Sequence, residues 1–217
     1  MTQTISKLAI CDDCYQELPF NKAGCKTCSL PLEDGNKCPD CERLNPCFNK
    51  VFVPLNYIFP IDQLIHHFKN RDKLHIGKTL TLILADYLQD LLIENPHLKP
   101  DLLIPVAASK QSFFRRKFNQ AQVIADILSS RLAISSAQNA LFCDKKQMQK
   151  NLTIAQRQQN LINAFRLNNK IDLRDKHIAL IDDVLTTGLT ANTITKLLLA
   201  AGAKKVDVYC LARTILH

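Results

Sequence analysis

Apolar positions along this chain change period several times, and the changes mark out its elements. From Ile178 to Ile181 the apolar residues are continuous, as in a strand buried on both faces, and the strand is expected over His177–Asp183. Over Ala191–Ala201 the period becomes helical, with Ile194, Leu197, Leu198 and Ala201 on one stripe. Val206–Ala212 reads as the next strand. Upstream, Val51–Tyr57 and Asp101–Val106 are strand candidates. Pro60 to Lys69 forms a short amphipathic helix with Ile61, Leu64, Ile65 and Phe68 inward, and Leu74–Glu94 and Gln120–Leu132 are longer helices. Lys170–Asp172 is a turn. Strands alternating with helices predict an α/β fold around a parallel sheet. Residues 1–50 lack this periodicity and carry most of the cysteines. The expected division is therefore a cysteine-rich module over 1–50 and an α/β domain over 51–217.

The junction between the strand at His177–Asp183 and its following helix carries the strongest chemical signal. The apolar run stops at Asp182 and Asp183, and Thr186, Thr187, Gly188, Leu189 and Thr190 then lead into the helix. A loop of this kind presents backbone N–H groups and hydroxyls at a helix N-terminus, where an anion is favoured. Gly188 lets the backbone approach the anion closely. The two carboxylates would repel a phosphate, so they suit the hydroxyls of a sugar or a magnesium ion brought by the ligand. Taken alone, an Asp-Asp pair is more often a solvated turn. The ordered Thr-Thr-Gly-x-Thr behind it favours the ligand reading. The segment resembles the phosphoribosyl pyrophosphate (PRPP) motif of type I phosphoribosyltransferases.

Six of the nine cysteines form three Cys-x-x-Cys pairs, Cys11/Cys14, Cys25/Cys28 and Cys38/Cys41. Paired thiolates two residues apart suit structural zinc, and two pairs complete a four-cysteine site. The favoured set is Cys25, Cys28, Cys38 and Cys41, a short zinc ribbon around Leu30–Lys37. Cys11 and Cys14 then remain for a second ion with Cys47 or a partner, and their alternative pairing with Cys25/Cys28 stays open. Cys210, in an apolar strand, is expected in the core. No βαβ pattern surrounds the pairs, which argues against thioredoxin-like redox chemistry.

Charge adds a further anion signal. The chain of 217 residues carries a net charge of +8, and all of the surplus lies beyond residue 50. Much of it falls in two polar stretches, Ser109–Gln120 and Lys145–Arg157. Arg115, Arg116 and Lys117 suit a pyrophosphate or a nucleic-acid backbone, and Phe113 and Phe114 beside them suit stacking on bases. Phe118 is more simply core. No apolar run reaches the about 18 residues of a membrane helix, and no signal-peptide core precedes Cys11. A cytoplasmic protein is expected.

With these pieces in order, the chain resembles the ComF/GntX family of competence-associated, phosphoribosyltransferase-like proteins. The matching elements run through nearly the whole length: the cysteine pairs, Leu64-Ile-His-His-Phe-Lys69, Ile104-Pro-Val106, Arg116-Lys-Phe-Asn-Gln120, Gln149-Lys-Asn-Leu152, Arg157-Gln-Gln-Asn160, Ala164-Phe165, the PRPP motif and Leu211-Ala-Arg213. The resemblance implies a type I phosphoribosyltransferase-like parallel sheet with helices on both faces, a small hood, and a zinc ribbon in front. It implies structural zinc, magnesium with PRPP, and a role in natural transformation involving single-stranded DNA and DNA-uptake or helicase partner proteins. By the same analogy, Lys69, Arg116 and Arg157 face the pyrophosphate, while Arg115, Arg116, Lys117, Asn119 and Gln120 are candidates for nucleic acid. The chain departs from the family at Ala107-Ala108, where Pro-Leu is usual, and at Lys117 and Asn151, where glycine is usual. Two function classes follow, an enzyme transferring phosphoribosyl groups and a non-catalytic adaptor for single-stranded DNA.

Overall fold

The computed structural model describes residues 9–22, 24–32, 38–70, 73–144 and 164–215. Two short helices, α1 (Asp12–Gln16) and α2 (Pro39–Leu44), lie in the cysteine module. β1 (Val51–Phe52), β2 (Leu55–Asn56), α3 (Ile61–Phe68), α4 (Leu74–Glu94) and β3 (Leu102–Pro105) follow. Next come α5 (Lys110–Arg116), α6 (Gln120–Leu132), β4 (Leu141–Cys143) and β5 (Phe165–Leu167). β6 (His177–Leu185), α7 (Leu189–Ala200) and β7 (Lys205–Arg213) complete the described elements.

The main sheet runs β1-β7-β6-β3, with β2 also on β7, and every pairing in it is parallel. This is the type I phosphoribosyltransferase-like arrangement, with helices on both faces. On one face Ile61, Phe68, Leu84 and Ile124, from α3, α4 and α6, pack on Ala179, Ile181 and Leu211. On the other, Ile194 and Leu198 of α7 join Cys28, Cys38 and Phe48 of the cysteine module over Ile178, Leu180 and Cys210. Both β6 and β7 are therefore covered twice, which is why their sequences read as near-continuous apolar runs.

Helices of long apolar period lie where the pattern put them, at Leu74–Glu94 and Gln120–Leu132. Three differences have local causes. The strand expected over Val51–Tyr57 is broken into β1 and β2 around Pro54, which has no N–H to give to a ladder. β6 continues two residues beyond the expected end at Asp183, to Leu185, so Asp182 and Asp183 lie inside the strand rather than at its carboxyl end. The basic stretch after β3 contains α5, opened by Ser109, whose Oγ accepts from the Ser112 N–H.

Both edges of the sheet are occupied. The Leu103 N–H donates to Ser135 O at 2.9 Å and the Ala137 N–H to Leu103 O at 2.9 Å, which covers β3. At the other edge Phe20 bridges Leu55 antiparallel, and the Val51 N–H donates to Thr27 O at 2.8 Å. β4 and β5 pair antiparallel as a separate two-stranded sheet. Among the described residues, no helix is long and apolar enough to cross a membrane.

Candidate functional site

β3 ends level with Ile181, since Pro105 pairs with it and the Val106 N–H donates to its carbonyl at 2.9 Å. The loop after β3 therefore lies beside Asp182 and Asp183, at the carboxyl edge where such sheets hold ligands. The two-residue alternation of β6 shifts phase across these acids. Ala179 and Ile181 pack in the first core and Ile178 and Leu180 in the second, whereas beyond the acids Val184 joins the first and Leu185 the second. Each acid is tied to the backbone that follows it. Asp182 Oδ1 accepts from the Asp183 N–H at 2.9 Å, and Asp183 Oδ1 from the Val184 N–H at 2.8 Å. Burial and the adjacent Asp183 carboxylate push Asp182 well above the usual carboxylate range, and the nearby Lys69 ammonium partly offsets this. Asp183 in turn acts on Arg116, opposing the burial that lowers the guanidinium's pKa. Lys69 and Arg116 thus sit within electrostatic reach of the acid pair.

Thr186 and Thr187 are exposed, and Gly188 is buried with φ +73° as the N-cap of α7. Gly188 has no side chain to cap this helix, the Leu189 N–H lies 3.4 Å from Thr187 Oγ1, and the first ladder bond runs from the Asn192 N–H to Gly188 O at 2.8 Å. The N–H groups of Leu189, Thr190 and Ala191 consequently have no partner within the helix ladder. A Cβ on Gly188 would come within 2.9 Å of Leu44 Cδ2. Glycine is needed here for its backbone angle and for the contact.

Around α3 and α5 the structure assembles a basic cleft of about 430 Å³, lined by His66, Lys69, Asn70, Arg115, Arg116 and Lys117. Arg116 is held by Gln120, whose Oε1 accepts from its Nη1 at 3.0 Å. Arg115 and Lys117 are exposed, as are Phe113 and Phe114 next to them. Asn119 and Gln120 depart from the expectation of direct nucleic-acid contact. Both are buried; Asn119 caps α6 and donates through Nδ2 to Val106 O at 2.9 Å. Phe118 packs beside Phe68, as its core reading implied. Arg157, the stretch Lys145–Arg157, Gln149–Leu152 and Arg157–Asn160 lie outside the described residues.

Cys25, Cys28, Cys38 and Cys41 converge, with all four Sγ atoms within 4.8 Å of one another. Cys25 and Cys41 are 3.6 Å apart and Cys28 and Cys38 3.4 Å. A tetrahedral ion with metal–sulfur bonds of about 2.3 Å spaces its ligands at about 3.8 Å, so this set can hold a metal. Burial opposes ionisation of Cys25, yet the backbone N–H groups of Cys28 and Thr27 and the Cys41 thiol bring it down to about 7. The cluster thus offers a thiolate near neutral pH. The alternative pairing of Cys11/Cys14 with Cys25/Cys28 is corrected by this geometry. Among the described residues, Cys11 and Cys14 join no third metal-ligating side chain, and Cys47 lies elsewhere, its N–H donating to Asn192 Oδ1 at 2.7 Å.

Residues 119–215 match the phosphoribosyl transferase domain. Competence protein F of Haemophilus influenzae is 32% identical over 96% of this chain and 92% of its own length. The chain belongs to the ComF/GntX family. A second relative in this ComF/GntX group, DNA utilization protein YhgH of Escherichia coli K12, is 30% identical over 99% of this chain and 95% of its own. Among solved structures, a purine phosphoribosyltransferase from Pyrococcus horikoshii aligns with 63% of this chain and 72% of its own, at 22% identity and a TM-score of 0.41.

One residue of this ComF/GntX chain had no role in the sequence reading. Arg213 ends β7 and is 1% exposed. Its Nε donates to Cys28 O at 3.1 Å, its Nη1 to Leu185 O at 3.1 Å and to Thr186 O, and its Nη2 to Asp40 Oδ2 at 2.5 Å. A lone arginine closing an apolar strand was the available signal, but its partner Asp40 is 173 positions away.

Proposed function

We propose that this protein binds PRPP with Mg²⁺ at the carboxyl edge of its sheet, as a phosphoribosyltransferase of the DNA-uptake apparatus acting on or with internalised single-stranded DNA. The carrying observation is the convergence of the Asp182–Asp183 pair, Lys69, Arg116 and the N-terminus of α7. In this reading Asp182 and Asp183 accept hydrogen bonds from the ribose hydroxyls. Thr186, Thr187, Gly188, Leu189 and Thr190 surround the 5-phosphate through backbone N–H groups and hydroxyls. Lys69, Arg116 and Arg157 face the pyrophosphate. The bond from the anomeric carbon to pyrophosphate breaks, a bond to the acceptor nucleophile forms, and pyrophosphate departs. Mg²⁺, when bound with the ligand, supplies charge neutralisation of the leaving group. The chain's own contribution is positioning and electrostatics, which suits a transition state carrying developing charge.

The names of the relatives, a competence protein and a DNA utilization protein, support the role in transformation. Zinc is the metal we place in the four-cysteine site, as the ion suited to a closed set of thiolates. A cytoplasmic location suits cysteine pairs that hold zinc rather than form disulfides, and we retain the division into a module over 1–50 and a phosphoribosyltransferase-like domain over 51–217. A second reading, a non-catalytic adaptor that grips single-stranded DNA and engages uptake or helicase proteins, is favoured by one feature. Arg115 and Lys117 are exposed beside the exposed rings of Phe113 and Phe114.

Calorimetric titration of PRPP with Mg²⁺ into the zinc-loaded protein tests the first reading. The parent is expected to bind, and the Asp182→Asn/Asp183→Asn double variant to lose on the order of a hundredfold or more in affinity, as when charged partners of buried hydrogen bonds are removed. No binding by a folded parent would leave the adaptor as the working account.

A further inference from the structure

Arg213 hydrogen-bonds both the four-cysteine module and the backbone of Leu185 and Thr186. Its guanidinium is buried between the two. On the module side it meets the Cys28 carbonyl at 3.1 Å, the Asp40 carboxylate at 2.5 Å and, at 4.0 Å, the Cys28 sulfur. Asp40 lies inside the Cys38-Pro-Asp-Cys41 pair and is itself 3% exposed. Both cysteine pairs are therefore gripped. On the loop side Nη1 donates to the carbonyls of Leu185 and Thr186. In a trans peptide the C=O and the following N–H point to opposite sides. Carbonyls of Leu185 and Thr186 drawn in toward the guanidinium thus turn the N–H groups of Thr186 and Thr187 away from it.

Two further contacts lie alongside. Asn192, 4% exposed in the first turn of α7, accepts the Cys47 N–H at 2.7 Å and donates to Leu44 O at 3.5 Å. Gly188 rests against Leu44 and Phe48. No hydroxyl or carboxylate of the PRPP motif takes part in these ties, so they serve the loop's shape and not its contact chemistry.

We propose that Arg213 is a positioning residue for the phosphate loop, and that occupancy of the four-cysteine site by zinc sets the shape of that loop through it. A metal-bound thiolate oriented by outer hydrogen bonds fixes Cys28 and the Cys38–Cys41 turn. These fix the guanidinium, and the guanidinium fixes the peptide planes ahead of Gly188. The affinity consequence rests on the reading of Thr186–Thr190 as a phosphate cradle; the mechanical coupling does not.

The experiment compares zinc-loaded full-length protein, the same protein after chelation, Asp40→Asn and Arg213→Lys. Arg213→Lys retains the charge but cannot reach both sides at once. Backbone amide order parameters are measured by NMR across Thr186–Thr190, with Leu80–Leu88 of α4 as the reference for the rest of the fold. We expect values near about 0.85 in the zinc-loaded parent and below about 0.6 after chelation and in Arg213→Lys, with α4 unchanged. Should Asp40→Asn fail to fold, Arg213→Lys and chelation still decide. Ribose 5-phosphate affinity is expected to fall on the order of tenfold, while pyrophosphate, which the basic cleft would hold, binds as before. A loop that stays rigid after zinc loss, or in zinc-loaded Arg213→Lys, overturns the coupling. Equal weakening of both ligands overturns the positioning role. A parent that binds neither ligand removes the proposed function, and the order parameters then judge the coupling alone.

Discussion

The loop at Thr186–Thr190 and the basic cleft between α3 and α5 lie at the same edge of the sheet, and both present hydrogen-bond donors or positive charge. They are held in different ways. The loop has few charges and is fixed from beneath by Arg213, Asn192 and the close contact at Gly188. The cleft has four Lys/Arg side chains, of which, among the described residues, Arg116 alone has a hydrogen-bonded brace, at Gln120. Backbone N–H groups recognise an anion only if their directions are fixed, because a peptide dipole that swings loses its aim. A cluster of flexible cations needs no such precision, since Coulomb attraction falls off gently and long side chains can follow the ligand. The one region suits a single phosphate of defined geometry, and the other a run of phosphates of variable geometry.

The largest way to separate the two is to remove the exposed cations. Arg115→Ala/Lys117→Ala is expected to reduce the slope of log affinity against log salt for single-stranded DNA by about 1.4, two contacts at about 0.7 each. Ribose 5-phosphate binding should be unaffected. Parallel loss of both would show that the cleft and the loop act as one site.

A smaller effect concerns Asp182. Its carboxyl titrates well above the usual range in the fold, so ionisation there opposes folding. The cost is absent below the unfolded value of about 4 and grows as pH rises toward the folded value, above which it is constant. Asp182→Asn should therefore be more stable than the parent at neutral pH, with the advantage shrinking to nothing near pH 4, by chemical denaturation across that range. A constant difference at every pH would assign the gain to packing. The same shift means that a ligand favouring the charged form releases a proton on binding.

The smallest is Lys117. It takes φ +65° at the end of α5, a left-handed conformation that costs a side chain about 1 kcal/mol or more. Lys117→Gly should raise stability by about 0.5–1 kcal/mol while weakening single-stranded DNA, so thermal melting and DNA affinity move in opposite directions. The lysine stands where the family usually has glycine, and the strain is consistent with charge having replaced conformational ease.

How far the sequence could be read depended on whether a residue's environment is set nearby. Gln120–Leu132 buries one face and Leu74–Glu94 is buried all round over Leu80–Ala85, and both are long, so their limits were visible in the pattern. The PRPP-like segment was legible because strand, turn glycine and helix start are consecutive. α5 escaped because its rings, Phe113 and Phe114, are exposed and form no stripe; Ser109 as N-cap was the available cue. β4 and β5 are three residues each and pair across more than twenty positions, too short for any period to register. Spacing favoured the set Cys25, Cys28, Cys38 and Cys41 but left its alternative with Cys11 and Cys14 open, and the Arg213–Asp40 link gave no signal at all. No local rule connects the end of the last strand to the middle of a cysteine turn.

The covering of both sheet edges bears on assembly. With Ser135–Ala137 along β3 and Phe20 and Thr27 along β1 and β2, neither outer strand offers a free row of donors and acceptors. Partners and further copies of the chain therefore cannot join by extending the main sheet. A β-strand peptide would find no template along β3, β1 or β2, and the same closure guards the edges of that sheet against edge-to-edge aggregation.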